Sequence, residues 1–188
     1  MFLDGEGVFS PEEFRALYNA AFPVLFRVAR RIAGSEEAAE DLCQDAFFRL
    51  YEKKMVFPRS EEAKYWLIRV VKNAALNYAK RKDRERKAYQ RAFREGRREE
   101  EGSEEALLKK ESREAVRSAL DKLPYNLRMV LILKEYGELN YKEIGRTLGI
   151  SEGNVKVRVF RARERLSTLL GNTEDGQVDG RAGRGGDG

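Results

Sequence analysis

An all-α fold, two small helical domains joined by a flexible charged linker with the second ending in a helix-turn-helix, is predicted by three features of the sequence. Apolar residues recur three and four positions apart through every core-forming stretch, which is the helical period. Serine and asparagine capping signals precede those stretches, and glycine closes several of them. Between Lys80 and Glu105 the chain is densely basic and then acidic, with almost no residues able to form a core. At 188 residues the chain can hold one large domain or two small ones, and this break favours two.

In chain order, Ser10-Pro11-Glu12-Glu13 opens the first helix with a capping serine, a proline in the first turn and a glutamate completing the box. Phe14, Leu17, Ala21, Leu25, Val28 and Ile32 make its apolar stripe, Pro23 is placed to kink it and Gly34 ends it. Ser35 caps a second helix with Glu36 and Glu37 in its first turn, Ala39, Leu42, Ala46 and Leu50 facing inward, and Lys53 and Lys54 at its far end, where they suit the dipole. Lys54 to Ser60 contains Pro58 and reads as a loop before a long helix that packs Leu67, Val70, Val71, Ala74 and Tyr78. Helical order resumes near Leu107, with Val116, Ala119, Leu120 and Leu123 facing inward up to Pro124. A further helix runs from about Asn126 to Tyr136, with Leu127, Val130 and Leu131 inward and Gly137 closing it.

From Asn140 to Leu166 two helices flank a tight turn, a helix-turn-helix signature. Asn140 and Glu143 form a capping box, Gly149 supplies the left-handed residue that stops the first helix, and Ser151 caps the second. Val155, Val159, Ala162 and Leu166 form the packing face of that second helix. Asn154, Lys156, Val157, Arg158, Phe160 and Arg161 are left for a face that can enter a DNA major groove. Alanine at Gly145 favours helix by roughly 1 kcal/mol, so Gly145→Ala is expected to be tolerated where packing allows.

Two more surfaces stand out by spacing. Asp41, Gln44, Asp45 and Phe48 fall at i, i+3, i+4 and i+7, a polar face with an aromatic that reads either as solvated surface or as a protein-binding face. Trp66, Arg69, Asn73, Asn77, Lys80 and Arg81 line one face of the long helix. Amides and guanidiniums can hydrogen-bond exposed bases, cations hold phosphates and an aromatic can stack on an unpaired base; the alternative is a snorkelling surface beside a core tryptophan.

Composition restricts the chemistry. Charged residues make up 37%, above the usual quarter, and the formal charge of +5 suits a polyanionic partner. Histidine, the commonest general base and metal ligand, is absent. Cys43 is the only cysteine, so no cysteine cage or intrachain disulfide is possible, and its flanks mark it as a small helix hydrophobe rather than a reactive thiol. The run from Glu36 to Asp41 lacks the glycine-shaped loop of alternating oxygen ligands that a calcium site needs. No phosphate loop, nucleophile elbow or Cys/His cluster is present, so no catalytic residue, cofactor or metal is expected. No stretch approaches the ~20 apolar residues that span a bilayer, and the expectation is a soluble, cytoplasmic protein without membrane insertion.

Across roughly residues 10 to 170 these motifs resemble the bacterial RNA polymerase sigma factors of the extracytoplasmic-function (ECF) class. Ala39-Glu40-Asp41-Leu42-Cys43-Gln44-Asp45-Ala46-Phe47 is similar to the family helix that binds the clamp coiled coil of core RNA polymerase, which implies docking through Asp41, Gln44, Asp45 and Phe48. Trp66-Leu67-Ile68-Arg69, Asn73 to Tyr78 and the basic run from Lys80 to Arg86 resemble the region that opens and reads the minus 10 promoter element. Leu120 to Pro124, Arg128 and the helix-turn-helix resemble the domain that reads the minus 35 element. The resemblance implies a region-2-like domain over residues 1–90, a linker over 91–108, a region-4-like domain over 109–170 and a disordered tail over 171–188. It also implies core RNA polymerase and promoter DNA as partners, with an anti-sigma factor as restraint. Asn77, Gly145, Asn154 and Val157 stand where the family most often has Asp, Ala, Thr and Ser, departures that bear on which promoter is read. The rival reading is a polymerase-independent helix-turn-helix regulator, which needs neither the Asp41/Gln44 face nor the Asn73/Asn77 face.

Overall fold

The computed structural model describes residues 9–92 and 114–178, and every element among them is helical. The chain forms two compact units, one of residues 1–96 with 132–155, the other of residues 97–131 with 156–188.

In the first unit, α1 spans Pro11–Ala33, α2 Glu36–Glu52 and α3 Ser60–Ala92. The α1 capping box is closed in both directions: the Glu13 amide donates to Ser10 Oγ at 3.2 Å, and the Ser10 amide donates to Glu13 Oε2 at 2.9 Å. The helix continues through Pro23 and stops at Gly34, whose φ of 75° is the left-handed conformation that glycine adopts without a Cβ penalty. Leu17, Ala21, Leu25 and Val28 are buried as the spacing predicts; Val24 and Ala29 widen the stripe, and Phe14 and Ile32 remain half-buried at its ends.

α2 begins at Ser35, whose Oγ accepts the Ala38 amide at 3.2 Å. It packs Ala38, Ala39, Cys43, Ala46, Phe47 and Leu50 inward. Leu42, expected in that set, is half-buried instead, because Cys43 holds the buried position between Ala39 and Ala46. Cys43 is fully buried, and burial, helped by the charge of Glu40, pushes its thiol up to about 12. The helix ends at Glu52 with Lys53 as its cap, and Lys54 just beyond takes φ 45°, a left-handed residue with a side chain.

α3 buries Ala63, Tyr65, Leu67, Ile68, Val71 and Ala75. Val70, Ala74 and Tyr78, expected inward, are half-buried, since the packed face is rotated towards Ile68 and Ala75. The helix extends to Ala92, well into the basic run. Ion pairs one turn apart support it there: Asp83 meets Arg86 at 2.9 Å and Lys87 at 2.6 Å, which hold the Asp83 carboxyl below its usual range, and Arg81 meets Glu85 at 3.7 Å. Beyond Ala92 the expected linker lies outside the described residues.

The first unit also contains a π-helical turn, Ile132–Tyr136, and α6, Tyr141–Leu148. The expected helix closure at Gly137 holds, though through wider π geometry: the Gly137 amide reaches Ile132 O at 3.1 Å, and a Cβ on Gly137 would lie 2.6 Å from Leu133 O. On α1, Arg27 donates to Tyr136 O at 2.9 Å and pairs with Glu138 at 3.0 Å. Asn140 and Glu143 close the α6 capping box at 3.0 and 2.8 Å, and Gly149 ends the helix at φ 70°. The Asn154 amide donates to Ser151 Oγ at 3.3 Å, so Ser151 caps the helix that follows.

The second unit holds α4 over 114–122, α5 over Tyr125–Leu131 and the greater part of α7, Glu152–Val178. Ala119, Leu120, Leu123, Met129, Val130 and Leu131 are buried, and Leu127 is half-buried. Arg128 donates to Asp121 O at 3.0 Å, tying α5 to α4. α7 runs past Gly171 to Val178, further than the expected start of a disordered tail, because no proline interrupts a helix already nucleated upstream. Residues 179–188 lie outside the description.

The expectation for Gly145 is corrected by its surroundings. A Cβ there would lie 2.7 Å from the carbonyl oxygen of Ile150, whose amide in turn donates to Gly145 O at 3.0 Å. Overpacking costs about 1–3 kcal/mol against a helix-propensity gain of about 1 kcal/mol, so Gly145→Ala is expected to lower stability by about 1 kcal/mol. Lys54→Gly should act in the opposite sense and raise stability by about 0.5–1 kcal/mol, because relief of left-handed strain exceeds the entropy that glycine adds to the unfolded chain. Urea midpoints of the two variants check both signs. Cys43 gives a pH prediction: its folded pKa is raised, so the stability it contributes is present below about 9 and falls as pH rises from there towards about 12. Unfolding free energies measured across that window should decline in the parent chain and decline less in Cys43→Ala.

Candidate nucleic-acid and protein interfaces

The buried faces of α1, α2 and α3 decide which side chains face solvent. On α2, Asp41, Gln44, Asp45 and Phe48 are all exposed, with Phe48 at 63%. Three of them line two concave surfaces, and Gln44 lines neither. Asp41 and Asp45 line a groove of about 880 Å³ whose opposite wall is α3, carrying Asn73, Asn77 and Arg81. Phe48 lines a separate aromatic cleft of about 420 Å³ with Phe14, Phe47 and Tyr51.

The α3 face is likewise divided along its length. Asn73, Asn77, Lys80 and Arg81 are exposed, and Arg81 lies with its guanidinium 5.5 Å from the Tyr78 ring centre. Trp66, half-buried, sits nearer the start of the helix beside the 53–59 loop, its ring 6.1 Å from that of Phe57. Trp66, Arg69, Phe57, Arg59, Glu62 and Arg146 border a pocket of about 380 Å³. Arg69 is engaged there: it donates to Thr147 O at 3.1 Å and to Arg146 O at 3.0 Å, at the C-terminal end of α6 where carbonyls lack helical partners. Arg146 lies 5.6 Å above the Tyr65 ring. Burial, with the charge of Glu143, pushes the Tyr65 hydroxyl up from its ordinary value, against the opposing pull of Arg146.

On α7, Val155, Val159 and Ala162 are buried and Leu166 is half-buried, as the spacing requires. Asn154, Lys156, Val157, Phe160 and Arg161 are exposed, Phe160 at 64%, and Arg158 is half-buried. The helix thus presents a cationic face with an apolar patch of Val157 and Phe160, the chemistry suited to phosphates, base edges and a thymine methyl.

Several residues of these surfaces were missed by spacing arguments. Arg49 and Arg84 line the α2–α3 groove, and Tyr51 and Phe14 line the aromatic cleft. Arg49 lies four positions after Asp45, so its place on the same α2 face was available from the helical period; the meeting of α1 with α2 at Phe14 and Tyr51 was not. Among the described residues no group of Cys, Asp or Glu is placed to hold a metal ion, and no helix is long and apolar enough to cross a membrane.

Comparison with known proteins matches the two halves in order: a Sigma-70 region 2 family model over residues 17–85 and a Sigma-70, region 4 model over residues 113–166. The chain is 32% identical over 152 residues to the ECF RNA polymerase sigma factor SigE of Mycolicibacterium smegmatis, covering 78% of this chain and 57% of that one. It is 30% identical over 153 residues to the ECF RNA polymerase sigma factor SigM of Bacillus subtilis, covering 81% and 92%. Among solved structures it resembles the sigma factor RpoE in complex with the anti-sigma factor NepR from Bartonella quintana, with a TM-score of 0.58, 25% identity and coverage of 89% and 99%. It shares the fold of CnrH, solved with the cytosolic domain of CnrY, with a TM-score of 0.63, 24% identity and coverage of 87% and 90%. With both regions matched in order and nearly the whole length of the Bacillus relative covered, the chain belongs to the ECF RNA polymerase sigma factors.

Proposed function

We propose that this chain docks on core RNA polymerase through Asp41, Gln44, Asp45 and Phe48 and directs it to promoters with two DNA readers, one on α3 and one on α7. The observation that carries this reading is the outward placement of the whole α2 motif face while Ala39, Cys43, Ala46 and Leu50 of the same helix are buried. A stand-alone regulator has no use for that face.

The residues divide the work by chemistry. Asn73 and Asn77 offer amides to the edges of an unpaired base, and Lys80 and Arg81 offer cations to the strand; Trp66 offers its ring at the separate pocket near the start of α3, where Arg69 is held by the Arg146 and Thr147 carbonyls. Expelling a base costs a few kcal/mol, so strand contacts must compensate for melting. On α7, Lys156, Arg158 and Arg161 meet guanine edges or phosphates, Val157 and Phe160 meet thymine methyls, and Asn154 reaches the groove edge. A good bidentate base contact is worth about 1–3 kcal/mol, so a single reader discriminates weakly. Two readers, residues 1–90 and 109–170, gain effective concentration by being held on one polymerase through the segment between them. Bond-making stays with polymerase; this chain supplies recognition and strand opening and is not itself an enzyme. It acts in the cytoplasm, where an anti-sigma protein restrains it, as NepR is found with its Bartonella relative.

Gln44→Ala should weaken polymerase binding while leaving the DNA readers intact, and Lys156→Ala should weaken promoter use while leaving polymerase binding intact. A polymerase pull-down run beside a promoter-dependent transcription assay separates the two. Equal losses in both assays for both variants would sink the assignment.

A further inference from the structure

Near the start of α3 lies a pocket that shares no lining residue with the α2–α3 groove. We propose that this pocket binds a free guanine nucleotide carrying two or more phosphates, with the base on Trp66 and the phosphates on Arg59 and Arg146.

The pocket has the size and the walls for such a ligand. Its volume of about 380 Å³ falls within the ~300–1,000 Å³ of small-molecule sites, and its lining comes from the 53–59 loop, the first turns of α3 and the end of α6. Trp66 is half-buried, and its ring is tilted 56° from that of Phe57, so Phe57 flanks the indole without stacking on it. An aromatic side chain so placed can take a base on its face. Three guanidiniums, of Arg59, Arg69 and Arg146, stand against the one carboxylate of Glu62, so the lining favours an anion.

The three cations are not equally engaged. Arg69 donates to the carbonyls of Thr147 and Arg146, which makes it part of the wall. Arg59 meets Glu62 at 3.8 Å in an exposed pair of the kind that contributes little in water, and Arg146 lies over the Tyr65 ring. Two guanidiniums can therefore turn to one ligand beside a single stacking ring. A nucleic acid strand brings one phosphate for each base, whereas a nucleoside diphosphate brings two. Glu62 selects the base: its carboxylate can accept from both N–H groups on the Watson–Crick edge of guanine, where adenine presents an acceptor nitrogen instead. As Glu62 turns to the base, Arg59 is released to the phosphates.

Under the proposed function Trp66 is also offered to the promoter strand, so nucleotide and strand compete for one ring and strand capture weakens as the nucleotide rises. That consequence, unlike the site itself, rests on the assignment of Trp66 to DNA.

Trp66 is the only tryptophan of the chain, so its fluorescence reports the site directly. Titration of the full chain with guanosine diphosphate should quench it saturably, with half the effect reached below about 1 mM. Guanosine, which can only stack, and pyrophosphate, which can only neutralise, should each bind at least about tenfold more weakly, and adenosine diphosphate about fivefold more weakly. Arg59→Ala should weaken guanosine diphosphate about tenfold, and Glu62→Gln should reduce the preference for guanine over adenine. Lys53→Ala, an equal charge loss at an exposed residue outside the pocket, should change affinity less than about twofold. Quenching that does not saturate, pyrophosphate that binds as tightly as the nucleotide, equal losses in Arg59→Ala and Lys53→Ala, or an unchanged base preference in Glu62→Gln each overturns the inference. A single-stranded oligonucleotide that quenches Trp66 at lower concentration than guanosine diphosphate makes the pocket a strand site and overturns it too. Saturable quenching by the nucleotide without displacement of a labelled single strand leaves the site standing and overturns the competition alone, through failure of the assignment of Trp66 to the strand.

Discussion

Packing of α1 on α3, with α2 closing over both, is the constraint from which the functional surfaces follow. Leu25, Val28, Leu67, Ile68 and Val71 are fully buried, and burying each such side chain contributes about 1.5–3 kcal/mol, so the orientation of these helices about their axes is strongly fixed. The inward residues of α2 between Ala38 and Ala46 are small, which lets that helix approach closely. Once Ala39, Cys43, Ala46 and Leu50 point in, Asp41, Gln44, Asp45 and Phe48 have to point out. The proposed docking face is thus set by the core beneath it.

Arginines act as structural connectors in the same unit. Arg27 and Arg69 both donate to backbone carbonyls, at Tyr136 and at the end of α6, where the helical ladder leaves oxygens without partners. A high cation content therefore serves the fold as well as polyanion binding. The helix-turn-helix depends on equally local chemistry: a reciprocal capping box at Asn140, a left-handed Gly149 and a serine cap set the entry to α7, and its alternation of buried valines with exposed cations does the rest.

What was legible in the sequence was local. Capping boxes, glycine stops and the helical period depend on neighbours within four residues, and the α1, α2 and α6 starts follow from them. Features that depend on distant chain segments were not legible. Leu42 and Cys43 are adjacent and both apolar, and only the approach of the other helices decides which is buried. Gly145 looked replaceable because helix propensity ignores the Ile150 carbonyl that folds back over it. The π-turn after Leu131 leaves no signature in the period, and the reach of α3 to Ala92 depends on ion pairs that composition reads simply as charge. The candidate surfaces were found because each lies on one helix; their division into a groove, a cleft and a pocket needed the partner helices.

On the proposed function, this chain acts only with core polymerase and gives it promoter choice. Run-off transcription with core polymerase on a genomic fragment library, with and without the protein, tests it most directly. New discrete start sites that share two spaced upstream elements should appear only when the protein is added. No stimulation of transcription, together with tight duplex binding by the protein alone, would contradict it.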